Sequence, residues 1–253
     1  MTVKELYRAL CAQIPAELSM PWDNDGLQLC PDPDREVKKA LCTLDITYKA
    51  AKKAVELGCD AIFSHHPLVF NPIKSLVAGE GKGDALLLLA KNGISTMSFH
   101  TRYDALEGGM NDILAAKLGI DECVTFGPAG EEIGRIGEIC ECTCEELAEK
   151  VKKTLGAPFV LLSAGDINTV RKVAVCGGDG KDFIKPAAKC GADILITGRA
   201  SYNSAIEAQE YDIALIECGH FYSEVICVDD FARRIESLGI KAETYKEAEI
   251  KAI

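Results

Sequence analysis

The sequence has little positive charge, few aromatic residues and few histidines. Lys and Arg number 28 against 39 Asp and Glu, which gives a formal net charge of −11, and Phe, Tyr and Trp make up only 6% of the 253 residues. Because an acidic chain offers no broad cationic surface, nucleic acid and anionic membranes are not expected partners. The longest purely apolar run, residues 85–90, is also too short to span a bilayer.

Signs of secretion are absent as well. The first residues contain no charged-then-apolar leader, so the twelve cysteines indicate a reducing compartment, and we expect a cytoplasmic protein. Most cysteines, Cys42 and Cys176 among them, lie in apolar runs and are predicted to be small core residues. Cys140, Cys142 and Cys144 have the spacing of strand alternation and lack the C-x-x-C pair of a metal clip, which favours a structural role.

Strand and helix patterns alternate along the chain and then repeat. Segment 171–179 resembles 38–45, and segment 191–197 resembles 58–64, with separations that agree to within one residue. Hydrophobic residues, at 48%, are ample for a core. We therefore predict an α/β fold of two similar halves, each built on a duplicated βαβ unit.

The sequence also predicts where two helices begin and where the first half of the chain ends. Capping boxes indicate helices that begin after Thr2 and Thr143. We assign 1–125 to the first half and 126–253 to the second, and the C-terminal helix and strand are able to pack back on the first half.

All four histidines follow predicted buried strands. They are His65, His66, His100 and His220. Asp104 follows His100 by four residues, and Glu224 follows His220 by four. In parallel α/β sheets, ligands bind at the carboxyl ends of the strands. Imidazoles and carboxylates are ligands of Zn, Mn and Fe, and their number exceeds the need of one ion, so we predict a dinuclear site.

Such a site predicts a reaction type, although simpler interpretations stay open. Two ions about 3.5 to 4 Å apart lower the pKa of a shared water, which indicates metal-assisted hydrolysis. Alternatively, the histidines only end strands, and His220 with Glu224 forms an i to i+4 helix contact, while Asp104 makes a local turn.

Two other patterns are less specific. Segment 176–180, Cys-Gly-Gly-Asp-Gly, follows a strand as a phosphate-binding turn does. It lacks the Lys-Ser/Thr of a P-loop and the G-x-G-x-x-G spacing, so we predict a tight strand-to-helix turn. The sequence contains no G-x-S-x-G nucleophile motif.

Taken together, these residues resemble the GTP cyclohydrolase I type 2-like family, also described as NIF-three-like dinuclear-metal proteins. The resemblance extends over nearly the whole chain, in order. The matching segments are Trp22-Asp23-Asn24-x-Gly26-Leu27-Gln28, Ser64-His65-His66-Pro67-Leu68-Val69-Phe70, His100-Thr101-x-x-Asp104-Ala105, Gly108-Gly109-x-Asn111-Asp112, Gly134-Arg135-Ile136-Gly137, Thr197-Gly198 and Gly219-His220-x-x-x-Glu224.

The resemblance implies two similar α/β halves facing each other across a metal site, and assembly into a homohexameric ring. It implies two divalent ions per chain, Zn, Fe or Mn. Their ligands would be His65, His66, Asp104, His220 and Glu224. Glu224 would bridge the ions, and His100 would be a candidate catalytic or supporting group. The chain resembles the short form of the family, which lacks an inserted domain.

The chain departs from the family pattern at two places. Arg102 and Tyr103 stand where relatives carry Asn and a Leu-like residue, and Arg199 and Asn203 stand where relatives often carry an acid and a histidine. Two arginines favour an anionic or phosphorylated substrate, so Arg102 and Arg199 are candidate substrate-binding residues. The alternative is that both are surface arginines without a ligand.

We therefore predict a dinuclear-metal-dependent hydrolase acting on a small anionic or nucleotide-like substrate. Ring opening of GTP is the reaction that the family name suggests. The alternative is a metal-binding regulatory or scaffold protein without catalysis, because the metal ligands look the same in both.

Overall fold

The computed structural model describes residues 1–79 and 81–250. Its elements form two compact units: unit 1 comprises Met1–Tyr103 and Cys227–Glu247, and unit 2 comprises Asp104–Ile226 with the described residues after 247. In chain order the helices and strands are α1 (Val3–Gln13), β1 (Gly26–Leu29), β2 (Lys39–Thr43), α2 (Tyr48–Glu56), β3 (Ala61–Ser64), α3 (Lys82–Lys91), β4 (Ser95–Ser98), α4 (Thr101–Ala105), α5 (Met110–Leu118), β5 (Asp121–Phe126), β6 (Gly134–Thr143), α6 (Cys144–Leu155), β7 (Leu161–Ser163), β8 (Thr169–Cys176), α7 (Ile184–Lys189), β9 (Ile194–Thr197), α8 (Tyr202–Glu210), β10 (Ala214–Glu217), α9 (His220–Glu224), α10 (Cys227–Ser237) and β11 (Lys241–Tyr245). Short 3-10 helices cover Ala16–Leu18 and Lys181–Phe183. The predicted α/β fold is confirmed.

Both predicted capping boxes are present. Thr2 accepts a hydrogen bond from the backbone N–H of Glu5, whose carboxylate accepts one from the Thr2 N–H at 2.8 Å. Thr143 and Glu146 make the same reciprocal pair at 3.1 and 2.9 Å. These bonds satisfy N–H groups that the first turn of a helix leaves without a partner.

Unit 1 contains a five-stranded sheet in the order β1-β4-β3-β2-β11. β1 is antiparallel to β4, and the other neighbours are parallel. Ser64 pairs with Ser98 at the ends of β3 and β4, so the segments that come after these strands leave the sheet side by side. The apolar side chains of one sheet face pack on α2 and α3, with Leu41, Ile62 and Leu89 fully buried.

Unit 2 contains a six-stranded sheet in the order β5-β6-β8-β9-β10-β7. Its central strands β8, β9 and β10 are parallel, and the other pairs are antiparallel. Two apolar clusters pack in this unit, one around Val151, Val173 and Ile196 and the other around Ala174 and Leu195. Because successive strand residues point to opposite faces, the alternation of Val173 with Ala174 supplies both clusters.

The sequence repeat corresponds to a structural repeat. In unit 1, β2 and β3 are parallel and flank α2, with Ala40 paired to Ala61. In unit 2, β8 and β9 are parallel and flank α7, with Val173 paired to Ile194. Each pairing joins residues 21 positions apart, so both βαβ crossovers have the same length.

The division into units differs from the predicted halves, 1–125 and 126–253. Residues 104–125 lie in unit 2, because α5 buries Leu114 and Leu118 in that unit's core and β5 pairs with β6. The C-terminal elements α10 and β11 lie in unit 1, which is the packing that the sequence analysis allowed for them, and β11 adds a parallel strand beside β2. In the described part of the chain, no helix combines the length and the apolar character that crossing a membrane requires.

Candidate metal centre

His65 and His66 lie at the carboxyl end of β3, where backbone contacts fix the turn. The Ser64 hydroxyl donates to the His66 carbonyl at 2.8 Å, and the His66 N–H donates to the Leu44 carbonyl at 3.0 Å. His65 is buried and His66 is half-buried. Their ring centroids are 5.0 Å apart, so the chain's departure from the pleat brings both rings to one side.

His100 joins this pair from the end of β4. Its ring centroid lies 5.2 Å from that of His65 and 5.6 Å from that of His66. One nitrogen of each ring lies within 4.8 Å of one nitrogen of each of the others, which is a spacing that allows a shared metal ion. We call these three residues the histidine cluster. The sequence predicts it only in part, because the family pattern implies a catalytic or supporting role for His100.

An acceptor oxygen lies against Nδ1 of every ring in the histidine cluster. His65 Nδ1 is 3.0 Å from the Phe99 carbonyl, His66 Nδ1 is 2.8 Å from a carboxylate oxygen of Asp45, and His100 Nδ1 is 2.9 Å from one of Asp23. These oxygens favour the proton on Nδ1 and hence the lone pair on Nε2, the nitrogen that would bind a metal. Each ring can therefore present Nε2 as a metal-ligating imidazole does, and the donor type of the cluster fits a transition-metal ion.

Asp23, whose carboxylate lies against His100 Nδ1, is itself held by further hydrogen bonds. We call Asp23 and Asp45 anchors because each of them orients one imidazole ring. Its side chain is buried and accepts hydrogen bonds from the Thr101 N–H at 3.0 Å and the Thr101 hydroxyl at 2.6 Å, besides the one from His100. Burial alone raises the pKa of a carboxyl group, but the hydrogen bond and charge of His100 and the bonds from Thr101 outweigh it and lower the pKa of Asp23. Asp23 is thus an ionised anchor for the His100 ring.

The segment that follows the single tryptophan is hydrogen-bonded to the chain three residues beyond His66. Asn24 Nδ2 and Gln28 Nε2 donate to the Val69 carbonyl at 2.5 and 2.8 Å, and the Val69 N–H donates to Gln28 Oε1 at 3.0 Å. The sequence indicates a polar turn here, with matching family residues but no assigned role. Neither Asp23 nor Asp45 was identified from the sequence as an anchor of the histidines. The available signals were the position of Asp23 in a motif that matches the family and the position of Asp45 at the end of a strand.

In unit 2, His220 and Glu224 lie on α9, which begins three residues after β10. His220 Nε2 is 2.9 Å from Glu224 Oε2, which is the i to i+4 contact of the simpler interpretation. Glu224 is buried. The Ser223 hydroxyl accepts a hydrogen bond from the Gly178 N–H at 3.1 Å and donates to the His220 carbonyl at 2.8 Å. The helix is therefore tied to the turn that comes after β8.

That turn is the Cys-Gly-Gly-Asp-Gly segment, and it leads from β8 into the 3-10 helix as predicted for a tight turn. Gly178 has φ +66°, and a Cβ atom there would lie 2.3 Å from Glu224 Oε1. Glycine is needed both for the backbone conformation and for the approach of the carboxylate. Burial and then the charges of Asp104 and Glu224 raise the pKa of the Cys176 thiol, so both carboxylates act on one buried group.

The two predicted substrate arginines have different environments. Arg102 is buried, with its Nε 2.8 Å and its Nη2 2.6 Å from the two oxygens of buried Asp25. Burial opposes its charge, but the hydrogen bonds and charge of Asp25 raise the pKa of Arg102. Since this charge is neutralised inside unit 1, the placement does not support a substrate role. Arg199 is exposed beyond β9 in unit 2, and its role stays a prediction.

The chain thus has two α/β units and a cluster of oriented histidines at strand ends. These features together define its class, an α/β protein with a candidate metal centre. The chain matches the Duf34/NIF3 (NGG1p interacting factor 3) family over residues 1–251, and it therefore belongs to that family. It is 36% identical to the GTP cyclohydrolase 1 type 2 homolog of Clostridium perfringens, a match that covers 83% of this chain and 82% of the relative. It is 35% identical to the Streptococcus pneumoniae protein of that name, with 92% and 89% covered.

Solved structures show the same fold. A Staphylococcus aureus protein has a TM-score of 0.90 at 23% identity, with 100% of this chain and 99% of that one covered. The reduced form of HcgD from Methanocaldococcus jannaschii has a TM-score of 0.84 at 28% identity, with 96% and 97% covered. The family resemblance seen in the sequence motifs is thus confirmed by sequence and structure.

Proposed function

We propose that this protein is a metal-dependent hydrolase that acts on a small anionic or nucleotide-like substrate. The proposed centre holds two divalent ions, Zn, Fe or Mn. Its proposed ligands are His65, His66, Asp104, His220 and Glu224. The observation that carries the proposal is the histidine cluster, in which three imidazoles converge and each has its Nδ1 against an acceptor oxygen.

The donor set and its support suit this chemistry. Divalent ions bound at such a centre supply Lewis acidity and a hydroxide nucleophile near neutral pH. His65 and His66 would bind through Nε2, because the Phe99 carbonyl and Asp45 occupy their Nδ1 sides. The buried Glu224 supplies a carboxylate, and the glycine at 178 gives that carboxylate room.

His100 is the candidate for proton transfer. Asp23 orients its ring through Nδ1, so Nε2 can take a proton from a reacting group, and the ionised Asp23 then stabilises the resulting imidazolium. The relatives' name, GTP cyclohydrolase 1 type 2 homolog, makes ring opening of GTP the first reaction to test here. Arg199 is retained as a proposed contact for the substrate's anionic group.

The test combines metal analysis with a substrate panel. Protein purified without chelator is assayed for metal and then, loaded with Zn, Mn or Fe, for turnover of GTP and a series of phosphoesters. We expect about two ions per chain and turnover that falls at least about 100-fold in Glu224→Gln. The matched control Glu210→Gln alters an exposed carboxylate on α8 and keeps full activity.

Two results would contradict the proposal. One is a wild-type chain that binds none of the three metals. The other is a metal-loaded protein with no turnover on the panel, with Glu224→Gln indistinguishable from it; metal-dependent capture of a partner in that case would favour a regulatory or scaffold protein.

The assembly and location proposed for the protein are a homohexamer in the cytoplasm. Light scattering coupled to size-exclusion chromatography tests the first, and a particle of six chains is expected. Fractionation of cells that express the untagged protein tests the second.

A further inference from the structure

Two exposed aromatic side chains flank the histidine cluster in unit 1. Trp22, the single tryptophan of the chain, is 54% exposed and Phe70 is 38% exposed. Their ring centroids lie 6.5 and 6.2 Å from that of His100 and 6.3 Å from each other. Aromatic residues make up only 6% of the chain. Two exposed rings beside one candidate catalytic histidine are therefore an unusual concentration of exposed apolar surface, which is the kind of feature that marks a binding site.

The segments that carry these two rings are held by side-chain hydrogen bonds. Asp23, next to Trp22, is fixed by His100 and Thr101, and Val69, next to Phe70, has both its N–H and its carbonyl bonded to Gln28. A residue whose neighbour is fixed in this way loses less conformational freedom when it binds a ligand. The aromatic pair is therefore organised in advance, as binding sites commonly are.

The ring angles indicate what such a pair can receive. Trp22 and Phe70 are inclined at 64°, and each is nearly perpendicular to His100, at 79° and 86°. A parallel pair would clamp a ring on both faces, whereas this inclined pair offers one face for stacking and a second ring edge-on beside it. Flat, polarised rings gain most from such combined stacked and edge contacts.

We propose that Trp22 and Phe70 form a stacking subsite for a planar heteroaromatic ring, such as a nucleobase, next to His100. The inference rests on the proposed function, because it identifies the part of the substrate that lies beside the candidate proton-transfer group. It makes Trp22 and Phe70 specificity-determining residues for substrates that carry such a ring.

The experiment uses the tryptophan as its own reporter, in the whole 253-residue chain without added metal. Fluorescence excited at the red edge of the tryptophan band and calorimetry follow titration with GMP, AMP and CMP, and with ribose 5-phosphate as the ligand that lacks a base. We expect at least one of the three nucleotides to bind and quench Trp22, while ribose 5-phosphate binds at least about ten-fold more weakly and leaves the fluorescence unchanged.

Variants separate stacking from folding. Trp22→Leu and Phe70→Leu should weaken binding of that nucleotide about ten-fold or more, whereas Trp22→Phe and Phe70→Tyr should keep most of it. Tyr48→Leu, which removes another exposed ring of unit 1, should bind as wild type does. Thermal melting and metal content of all five variants should match the wild type.

The subsite is overturned if no nucleotide quenches Trp22, if ribose 5-phosphate binds as tightly as the nucleotides, or if both leucine variants bind as wild type does. These results are distinct from failure of the proposed function. A protein that binds a nucleotide through Trp22 but neither binds metal nor hydrolyses any substrate loses the function and keeps the subsite. A metal-dependent hydrolase whose Trp22→Leu and Phe70→Leu variants both keep nucleotide affinity loses the subsite alone.

Discussion

The two units share a βαβ frame and differ in the residues at the carboxyl ends of its strands. In unit 1, Asp60 accepts hydrogen bonds from the N–H groups of Lys38 and Lys39 at 2.9 and 3.2 Å. In unit 2, Asp193 accepts the equivalent pair of hydrogen bonds from two consecutive N–H groups of β8, at 2.8 and 2.7 Å. Yet β3 leads into two anchored histidines, whereas β9 leads into Gly198. The same βαβ unit therefore accommodates different functional residues at the carboxyl ends of its strands.

The comparison extends to how each unit positions its candidate ligands. Unit 1 holds imidazoles through oxygens on Nδ1, which fixes the ring and its tautomer. In unit 2, the buried carboxylate of Glu224 lies close to Gly178, because glycine has no Cβ atom that would occupy this space. Unit 1 should accordingly be sensitive to loss of hydrogen-bond acceptors, and unit 2 to added bulk.

The largest expected effect concerns the two arginines predicted to contact the substrate, Arg102 in unit 1 and Arg199 in unit 2. Asp25→Ala leaves the buried Arg102 charge without its bidentate partner and should lower the free energy of unfolding by about 3 to 5 kcal/mol. Arg199→Met changes an exposed side chain and should alter stability by less than about 0.5 kcal/mol. Urea unfolding measures both, and equal stability of the two variants would contradict a structural role for Arg102.

The next effect separates bulk from backbone strain in unit 2. Gly178→Ala introduces a Cβ 2.3 Å from Glu224 Oε1, whereas Gly156→Ala, at nearly the same φ of +65°, meets nothing within 4 Å. Both should lose about 1 to 2 kcal/mol from the left-handed conformation. Only Gly178→Ala should in addition lose metal affinity, measured by calorimetry, because the carboxylate is displaced; equal metal affinity of the two variants would refute the close-fit argument.

A smaller effect is expected from the anchors of unit 1. Asp23→Asn and Asp45→Asn keep side-chain size but weaken the hold on His100 and His66. We expect each to cost about 10- to 100-fold in metal affinity or activity. Asp166→Asn, in an exposed turn of unit 2, is the control and should have no effect. Anchors that can be removed without loss would mean that the rings are held by packing alone.

The smallest effect tests the shared frame through its pH dependence. Burial opposes ionisation of Asp60, but the N–H groups of Lys38 and Lys39 and the Arg35 side chain lower its pKa from 3.8. A carboxyl group with a lower pKa in the folded state stabilises the protein above about pH 4, and this stabilisation is lost as the pH falls through the folded pKa.

Wild type should therefore lose about 1 kcal/mol more than Asp60→Asn when urea unfolding of the metal-free protein is compared at pH 7 and pH 3. An identical pH dependence of the two proteins would show that the Asp60 carboxylate makes no such contribution to the frame.

Local patterns predicted the frame, the helix caps and the strand-end histidines, because each depends on residues close together in the sequence. The anchors could not be predicted in this way, since Asp23 is 77 residues from His100 and Asp45 is 21 from His66. The partner of Arg102 lies 77 residues away as well, so its burial had no sequence signal. The pairing of β5 forward with β6, which goes with the placement of residues 104–125 in unit 2, had no such local signal.

The central claim is that His65 and His66 of the histidine cluster bind a metal through imidazole nitrogens, and X-ray absorption spectroscopy of the zinc-loaded protein tests it most directly. We predict imidazole scattering with Zn–N distances of about 2.0 to 2.1 Å, and fewer imidazole ligands or less bound zinc in His65→Ala. A zinc environment made only of oxygen, or one that is unchanged in His65→Ala, would contradict it.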